Sequence, residues 1–247
     1  MISFTSEDKF IVTGASSGLG AGVALLLNKL GATVIAVARN IERLQETKNK
    51  CEHPENCFVE ELDVTADIDG LPAWVKAMRE KYGKFRGMAI CHGISRVSPM
   101  QMVDYSSMKQ MFDCNYFAPM MLAKGFVDRR NNIGRGAALV AIASVAGLIG
   151  HRGMIEYAGS KSALVMSMRA LAREVATSGV RINTVAPADI KTPMVLNADD
   201  HIKGRDEKYP LGFGEVEDVA NMIVYLLSDD AKWIATQNYV IDCGGEL

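Results

Sequence analysis

Short apolar runs alternate with helical segments along this whole chain, and that alternation limits the folds it can adopt. The runs at 10–13, 33–38, 58–62, 87–91, 137–142, 180–185 and 239–242 are predicted strands. Most are continuously apolar, as is typical of strands whose sheet is covered on both faces. Helices are predicted at about 19–30, 41–50, 71–82, 106–129, 157–177 and 215–227. Because strand–helix alternation gives right-handed crossovers, the pattern predicts one α/β domain over 1–247, a doubly wound parallel sheet with helices on both faces.

A glycine-rich segment lies between the first predicted strand and the first predicted helix. It reads Thr13-Gly-Ala-Ser-Ser-Gly-Leu-Gly20. Glycine permits a tight turn and a close approach of backbone to phosphate, and a helix N-terminus binds anions. The segment therefore predicts a pyrophosphate site in a Rossmann fold, although such a glycine pattern alone is more often a flexible loop.

A second pattern, Tyr157-Ala-Gly-Ser-Lys161, follows Ser144 by thirteen residues. On a helix, positions i and i+4 share a face, so the phenol and the ammonium are expected side by side. The ammonium favours the phenolate, and we expect it to lower the Tyr157 pKa toward the range of a general acid or base. With the glycine segment, this predicts hydride transfer between a nicotinamide cofactor and a carbonyl or alcohol.

Together these motifs resemble those of the short-chain dehydrogenase/reductase family over essentially the whole chain, and most closely those of 3-oxoacyl-carrier-protein reductase-like members. The matching positions are Thr13–Gly20, Asp63-Val64, Gly93, Asn115, Ser144, Tyr157-x-x-x-Lys161, Pro187, and the tail from Pro210-Leu-Gly to Asp242-Cys-Gly-Gly245.

The resemblance implies four catalytic residues. Tyr157 would be the general acid in carbonyl reduction, and Ser144 would hold the carbonyl oxygen and stabilise the developing oxyanion. Lys161 would lower the Tyr157 pKa and hold the nicotinamide-ribose hydroxyls. Asn115 would bend its helix and hold a water that relays protons to Lys161; without the resemblance, it is a polar residue that caps or breaks a helix.

The resemblance also implies a cofactor site, in which Asp63 binds adenine and Pro187 and Thr192 contact the nicotinamide amide. A turn or helix cap is the alternative for Asp63. The full implied set is Gly14, Ser16, Ser17, Gly18, Leu19, Gly20, Arg39, Asp63, Val64, Gly93, Tyr157, Lys161, Pro187, Ile190 and Thr192.

The end of the second strand bears on cofactor choice. An acidic residue there usually binds the ribose 2′-hydroxyl of NAD, but this chain has Ala38-Arg39-Asn40. Arg39 can pair with a 2′-phosphate, and Ser16 can add a hydroxyl. We therefore expect NADP(H) to be favoured over NAD(H); the alternative is that Arg39 is a solvated loop residue.

Two positions depart from the family pattern. Ile90-Cys91-His92-Gly93 stands where the family usually has Asn-Asn-Ala-Gly, which predicts local repacking with His92 as a satisfied structural histidine. Pro187-Ala188 replaces Pro-Gly, which is expected to narrow the pocket. The irregular stretch at about 188–214 is predicted to be a substrate lid. His151 and Arg152 are expected either to meet a polar or anionic substrate or to form a solvated loop.

The predicted function is NADPH-dependent reduction of a ketone, with a 3-oxoacyl thioester as one candidate substrate. Arg129, Arg130 and Arg135 could dock an acidic carrier protein or cap a helix end. The alternatives are an NAD(P)-dependent dehydrogenase or reductase of a free sugar, steroid or other secondary alcohol, and a non-catalytic, cofactor-sensing scaffold.

Charge and composition restrict the partners. The 247 residues carry 27 basic against 29 acidic side chains, a net charge of −2, which predicts neither nucleic-acid nor membrane binding. The N-terminus lacks a signal-like apolar run, so we expect a cytoplasmic protein. Cys51, His53 and Cys57 are one ligand short of a structural zinc site, so no metal is predicted. The resemblance implies a homodimer or homotetramer joined through the long helix and the Tyr157 helix.

Overall fold

The computed structural model describes residues 2–196 and 208–246, and these form a parallel sheet with helices on both faces. Its seven described strands are β1 (Lys9–Thr13), β2 (Thr33–Ala38), β3 (Cys57–Glu61), β4 (Gly87–Ile90), β5 (Ala138–Ile142), β6 (Arg181–Pro187) and β7 (Asn238–Ile241). They lie in the order β3-β2-β1-β4-β5-β6-β7, and every neighbouring pair is parallel. The predicted doubly wound Rossmann fold is confirmed.

This strand order reverses direction between β1 and β4, and the reversal locates the binding crevice. The chain moves outward from β1 to β3, then returns to the other side of β1 and moves outward to β7. Crossovers on the two sides of such a point leave a crevice at the carboxyl ends of the strands. The glycine segment follows β1, and Ser144 follows β5, so both lie at this edge.

Helices cover both sheet faces, which explains the continuously apolar strands. The described helices are α1 (Gly18–Lys29), α2 (Ile41–Asn49), α3 (Leu71–Tyr82), α4 (Tyr105–Phe112), α5 (Ala118–Val127), α6 (Ala146–Ile149), α7 (Ile155–Val175), α8 (Pro193–Leu196) and α9 (Val216–Leu227). On one face, Leu27 of α1 and Ile223 of α9 lie in one core cluster. On the other, Val75, Phe126 and Leu164, from α3, α5 and α7, lie in a second.

The long helix predicted at 106–129 is present over 105–127, but it is not α-helical throughout. It consists of α4, a π-helical segment from Asp113 to Phe117, and α5. The wider π turn contains Asn115, whose side chain is bonded outside the helix, and Pro119 follows in the first turn of α5. A π segment of this kind interrupts the regular winding, so the expected disturbance at Asn115 is present.

The predicted lid at 188–214 is described only in part, because residues 197–207 lie outside the described residues. The described residues on the two sides of this gap are hydrogen-bonded to each other. Lys191 donates its N–H to the Gly214 carbonyl at 2.9 Å, and Gly214 donates to the Asp189 carbonyl at 3.1 Å. The four-residue helix α8, too short for a periodic sequence signal, lies on the first flank. The lid function stays a prediction.

Within the described ranges, no helix has the length and apolar character needed to cross a membrane. The same residues contain no group of three or more His, Cys, Asp or Glu side chains placed to hold a metal ion. Cys57 begins β3 after a short 3₁₀ turn over Pro54–Asn56, as expected for a loop that leads into a strand.

Phe126→Ala tests the importance of the core under α5. The Phe126 ring is fully buried in the second cluster, so we expect a loss of about 3–5 kcal/mol in the free energy of unfolding. Denaturant unfolding would measure it. Phe58→Ala is the matched control, because that ring is 37% exposed and should cost clearly less. Equal losses for both variants would contradict this account of the core.

Candidate active site

The turn between β1 and α1 can be formed only by glycine at two positions. Gly14 has a φ of +70°, and a Cβ there would lie 2.8 Å from the His92 backbone nitrogen. A Cβ at Gly20 would lie 2.3 Å from the Gly14 carbonyl oxygen. Both approaches are closer than real Cβ contacts allow, so these glycines are needed to bring the turn against the end of β4.

The N-terminus of α1 is open to an anion. Ser17 is the N-cap residue, and its side chain makes no capping hydrogen bond. The first N–H groups of a helix lack partners within the helix, and the helix dipole adds positive potential there. The glycine-rich turn between β1 and α1 and this uncapped helix end therefore fit the pyrophosphate of a dinucleotide.

A cavity along this turn collects most residues expected to hold the cofactor. From the sequence-predicted set, its walls contain Gly14, Ser16, Ser17, Gly18, Leu19, Gly20, Arg39, Asp63, Val64, Gly93 and Thr192. The remaining members, Tyr157, Lys161, Pro187 and Ile190, line an adjoining cavity that also shares Leu19, Gly93 and Thr192. We term the first the cofactor cavity and the second the substrate cavity. All of the residues predicted to hold the cofactor, together with Ser144, thus meet around one crevice, whereas Asn115 lines neither cavity.

Arg39 lies at the end of the cofactor cavity, where the adenosine ribose would bind. The side chain is exposed, and Arg43, which sequence reasoning missed, lines the same cavity.

Asp63 accepts hydrogen bonds from Thr65 Oγ1 at 2.7 Å and Thr65 N at 2.9 Å, so it forms the turn considered as its alternative role. These bonds, and the charge of Arg39, lower the Asp63 pKa. Asp63 is therefore a turn residue that also faces the cavity.

Lys161 lies on α7 one turn after Tyr157 and is 3% exposed. Its Nζ donates to the Ile142 carbonyl oxygen, at the end of β5, at 2.8 Å. Burial lowers the pKa of Lys161 to about 8, against an ordinary value of 10.5. The ammonium is thus held at a fixed point beside the crevice at an electrostatic cost.

The expectation that Lys161 lowers the Tyr157 pKa is wrong for this structure. Burial of the phenol raises its pKa; the neighbouring Ser144 hydroxyl lowers it by less, and the charge of Asp189 raises it further. Lys161 Nζ lies 5.9 Å from the centre of the Tyr157 ring and is directed to the Ile142 carbonyl. The phenol therefore keeps its proton at neutral pH, as a proton donor must.

Asn115 is fully buried and fixes the loop that follows β4. Its Oδ1 accepts from Ile94 N at 2.9 Å, and its Nδ2 donates to Ile94 O at 2.9 Å and to Ser160 Oγ at 3.2 Å. A Cβ at Gly93 would lie 3.2 Å from Asn115 Oδ1 and 3.4 Å from Lys161 Nζ. Gly93 thus allows Asn115 and Lys161 to approach the same point, although the water relay stays a prediction.

His92 is only half satisfied as a structural histidine. Its Nδ1 is hydrogen-bonded to Thr13 Oγ1 at 2.7 Å, and Thr13 Oγ1 also accepts from Cys91 N at 3.2 Å. Its Nε2 has no hydrogen-bond partner of normal geometry in residues 2–196 and 208–246, although the Cys114 backbone is near. Burial, followed by the charge of Lys161, lowers the His92 pKa to about 3, so the ring is neutral.

The substrate cavity lies beside Ser144 and Tyr157 and contains polar residues that sequence reasoning missed. His151 lines it, as one of its two predicted roles requires, whereas Arg152 is not among its lining residues. Asp189, Tyr209 and Glu246 also line it. Of these three residues, only Asp189 could have been found from the sequence, because it directly follows the Pro187-Ala188 motif.

Comparison with known proteins agrees with this geometry. A family model described as enoyl-(acyl carrier protein) reductase matches residues 14–246. The 3-oxoacyl-[acyl-carrier-protein] reductase of Thermotoga maritima is 30% identical, over 95% of this chain and 96% of that protein. The D-erythrulose reductase of Gallus gallus is 32% identical, over 95% and 94%. A short-chain type dehydrogenase/reductase structure from Mycobacterium ulcerans is 32% identical with a TM-score of 0.89, over 99% of this chain and 91% of that one.

This chain belongs to the short-chain dehydrogenase/reductase family. It is therefore an NAD(P)-dependent oxidoreductase that acts on alcohol or carbonyl groups, and its fold binds a nicotinamide cofactor. The named relatives differ in the substrates that their names give, so membership alone leaves the substrate open.

Lys161→Met tests the electrostatic cost of the buried ammonium. Below pH 8, Lys161 is charged in the folded and the unfolded chain, and the folded chain carries the full cost. Between pH 8 and 10.5 the unfolded chain binds more protons, so the free energy of unfolding rises with pH. We expect wild type to gain about 2 kcal/mol relative to Lys161→Met between roughly pH 7 and pH 10.

Denaturant unfolding at the two pH values measures this gain. Lys124→Met, which removes an exposed lysine, is the control for general effects of pH. A difference between wild type and Lys161→Met that stays constant with pH would show that the buried ammonium carries no such cost.

Proposed function

We propose that this protein reduces a ketone with NADPH, acting as one catalytic domain. The proposal rests on the positions of Ser144, Tyr157 and buried Lys161. All three line the substrate cavity, which adjoins the glycine-rich turn between β1 and α1. When bound, NADPH supplies a hydride to the carbonyl carbon and leaves as NADP⁺.

The residues of the chain supply the remaining requirements. The Ser144 hydroxyl holds the carbonyl oxygen, and the neutral Tyr157 phenol gives its proton to that oxygen as negative charge develops on it. The Lys161 ammonium, fixed by Ile142 O, holds the nicotinamide-ribose hydroxyls beside the phenolate that remains. Asn115 orders the water through which that phenolate recovers a proton.

The preference for NADPH follows from the charge around the adenosine ribose. Arg39 and Arg43 both line this end of the cofactor cavity, and no carboxylate ends β2. Asn40 is occupied, because its Oδ1 accepts from Arg43 N at 2.8 Å as the cap of α2. A 2′-phosphate would gain charge-assisted hydrogen bonds from the guanidinium groups, whereas a 2′-hydroxyl would gain little.

The names of the relatives suggest two classes of substrate, a carrier-bound 3-oxoacyl thioester and a free ketone. The arginines considered for carrier docking do not favour the first. Arg129, Arg130 and Arg135 precede β5, whereas Ser144 follows its other end, so within one chain they lie at the sheet edge away from the site. Arg130 also forms an ion pair with Asp128 at 2.6 Å.

We also propose a homo-oligomer joined through α4, α5 and α7. Leu164 and Met168 of α7 are buried in the core of this chain, so they do not supply the contact. Phe117, in the π segment between α4 and α5, and Met166 of α7 are 46% and 58% exposed and remain available for a contact. Light scattering of the purified protein would give the size of the assembly.

The cytoplasmic location of the protein stays a prediction.

Tyr157→Phe tests the chemistry. NADPH oxidation would be followed with a 3-oxoacyl thioester, a sugar, a steroid and a simple diketone. Loss of the proton donor should lower kcat for the best ketone by about 10²–10⁴-fold. Tyr116→Phe is the matched control and should retain activity. It removes a phenol hydroxyl that contacts Ser167 Oγ rather than one in the site. If wild type turned over none of these substrates, the scaffold alternative would replace the reductase.

Arg39→Ala tests cofactor choice. Loss of one charge-assisted contact to the 2′-phosphate should raise the KM for NADPH by about 10- to 100-fold and leave the KM for NADH nearly unchanged. Arg173→Ala, an exposed arginine on α7, controls for loss of a surface charge. The hypothesis would fail if NADH bound as tightly as NADPH and Arg39→Ala altered neither affinity.

A further inference from the structure

The segment that follows β7 folds back onto the substrate cavity, and its residues 242–246 are termed the tail segment. Ala188 N donates to the carbonyl oxygen of Ile241, the last residue of β7, at 2.9 Å, so the tail segment begins beside the end of β6. Glu246 N donates to Asp242 Oδ2 at 3.1 Å, which closes a turn within the tail segment. This turn brings Glu246 into the lining of the substrate cavity.

Glu246 is bonded to residues that precede α9. Lys208 Nζ and the Tyr209 hydroxyl both donate to Glu246 Oε1, the hydroxyl at 3.0 Å. The same hydroxyl lies 3.0 Å from Asp189 Oδ2, and because a phenol has one proton, it donates to one carboxylate at a time. Lys208 is therefore needed to hold Glu246 while the phenol donates to Asp189. We term the contact between Lys208 and Glu246 the clamp.

The clamp is an ion pair at neutral pH. Burial opposes ionisation of Glu246, whose side chain is 3% exposed, but the bonds from Lys208 and Tyr209 outweigh it and lower the Glu246 pKa. Lys208 does not line the cavity, and its side chain is 39% exposed. The ammonium thus holds the carboxylate from outside the cavity.

The tail segment and two neighbouring side chains close this part of the cavity. A Cβ at Gly245 would lie 2.9 Å from Tyr209 Cε1, so the tail segment is packed directly against the Tyr209 ring. The second carboxylate oxygen of Glu246, Oε2, lies 3.7 Å from His151 Nε2. Tyr209 and His151 line the cavity as Glu246 does. We term these three lining residues the closed side.

Another part of the cavity is aliphatic and reaches the surface. Ile94, Val97, Met154 and Met194 line it. Val97 and Met194 are 60% and 49% exposed, so an apolar group can extend past them toward solvent. We term these four residues the open side.

The two substituents of a bound ketone meet these sides differently. With the carbonyl oxygen at Ser144 and Tyr157, the substituents diverge from the carbonyl carbon, so they cannot both occupy the open side. A bulky group directed to the closed side would have to move Glu246 out of the clamp. That movement would separate a buried carboxylate from its cation, which is costly. A methyl group requires no such movement.

We propose that Glu246, held by Lys208, makes the site selective for ketones with one bulky apolar substituent and one small substituent. The inference rests on the proposed function, since it names the substrate class for the same reduction. Glu246 is then a specificity-determining residue. Lys208 is a positioning residue, because it acts on the substrate through Glu246.

Three α-diketones test this selectivity with one reacting group. Butane-2,3-dione has two methyl groups, 1-phenylpropane-1,2-dione has one methyl and one phenyl group, and diphenylethanedione has two phenyl groups. We expect wild type to reduce the first two with NADPH at a kcat/KM at least tenfold higher than the third, because only the third lacks a small substituent.

Glu246→Gln and Lys208→Met weaken the clamp from its two ends. Each should raise the kcat/KM for diphenylethanedione relative to butane-2,3-dione by about tenfold. The double variant should show no larger change than the single variants, because both act on one contact. A gain of activity on the bulky diketone cannot come from misfolding. Lys232→Met, which removes an exposed lysine beyond α9, is the matched control and should leave the ratio unchanged.

Amide hydrogen exchange tests the clamp without turnover. Gly245 N donates to the Asp242 carbonyl oxygen at 2.9 Å, and the Glu246 N–H is bonded within the same turn. If the clamp holds the tail segment in place, Lys208→Met should speed exchange of these two amides by about tenfold, and Lys232→Met should not. Equal exchange rates in wild type and Lys208→Met would overturn the clamp, whatever the diketone kinetics.

The kinetic outcomes separate this inference from the proposed function. No NADPH-dependent turnover of any of the three diketones would overturn the proposed reductase and, with it, the inferred substrate class. Equal kcat/KM for all three in wild type, or a ratio unaltered in both variants, would overturn the role of Glu246 and leave the reductase standing.

Discussion

The close contact between the β1–α1 turn and the end of β4 is the constraint on which the rest of the site depends. Gly14 lies against the His92 backbone with no room for a Cβ, and Gly20 lies against Gly14 in the same way. This contact brings the open end of α1 to the crevice where the strand order reverses. The cofactor cavity and the substrate cavity share residues at this point, so hydride donor and ketone can meet there.

The buried Lys161 ammonium beside this crevice lowers the free energy of unfolding, while the same charge serves the proposed reaction. Lys161 is held by the Ile142 carbonyl, and its lowered pKa reports the cost of keeping a charge away from water. Tyr157, one helical turn away, is kept protonated by burial and by Asp189. The pKa of Lys161 is lowered and that of Tyr157 is raised, so the two values move apart and the phenol keeps its proton at neutral pH.

Around this common machinery, the substrate cavity has features of its own. Asp189, Tyr209 and Glu246 line it, and the Tyr209 hydroxyl joins the two carboxylates. Apolar side chains such as Ile94, Val97 and Met154 line it as well, and they can contact the carbon skeleton of a substrate. Because the fold is shared by relatives whose names give different substrates, the choice of substrate depends on this lining.

The sequence by itself determined the strand–helix order, the parallel sheet and the glycine turn, and it predicted the catalytic set of Asn115, Ser144, Tyr157 and Lys161, because each depends on local periodicity or on motifs with fixed spacing. It also located nearly all strand ends to within a residue or two. Only the tertiary structure decided the π turn around Asn115, the direction of the Tyr157 pKa shift and the meeting of Asp189, Tyr209 and Glu246 in one cavity. Those features depend on burial and on contacts between residues far apart in the chain, such as Tyr209 with Asp189 and Glu246, which spacing along a sequence does not encode.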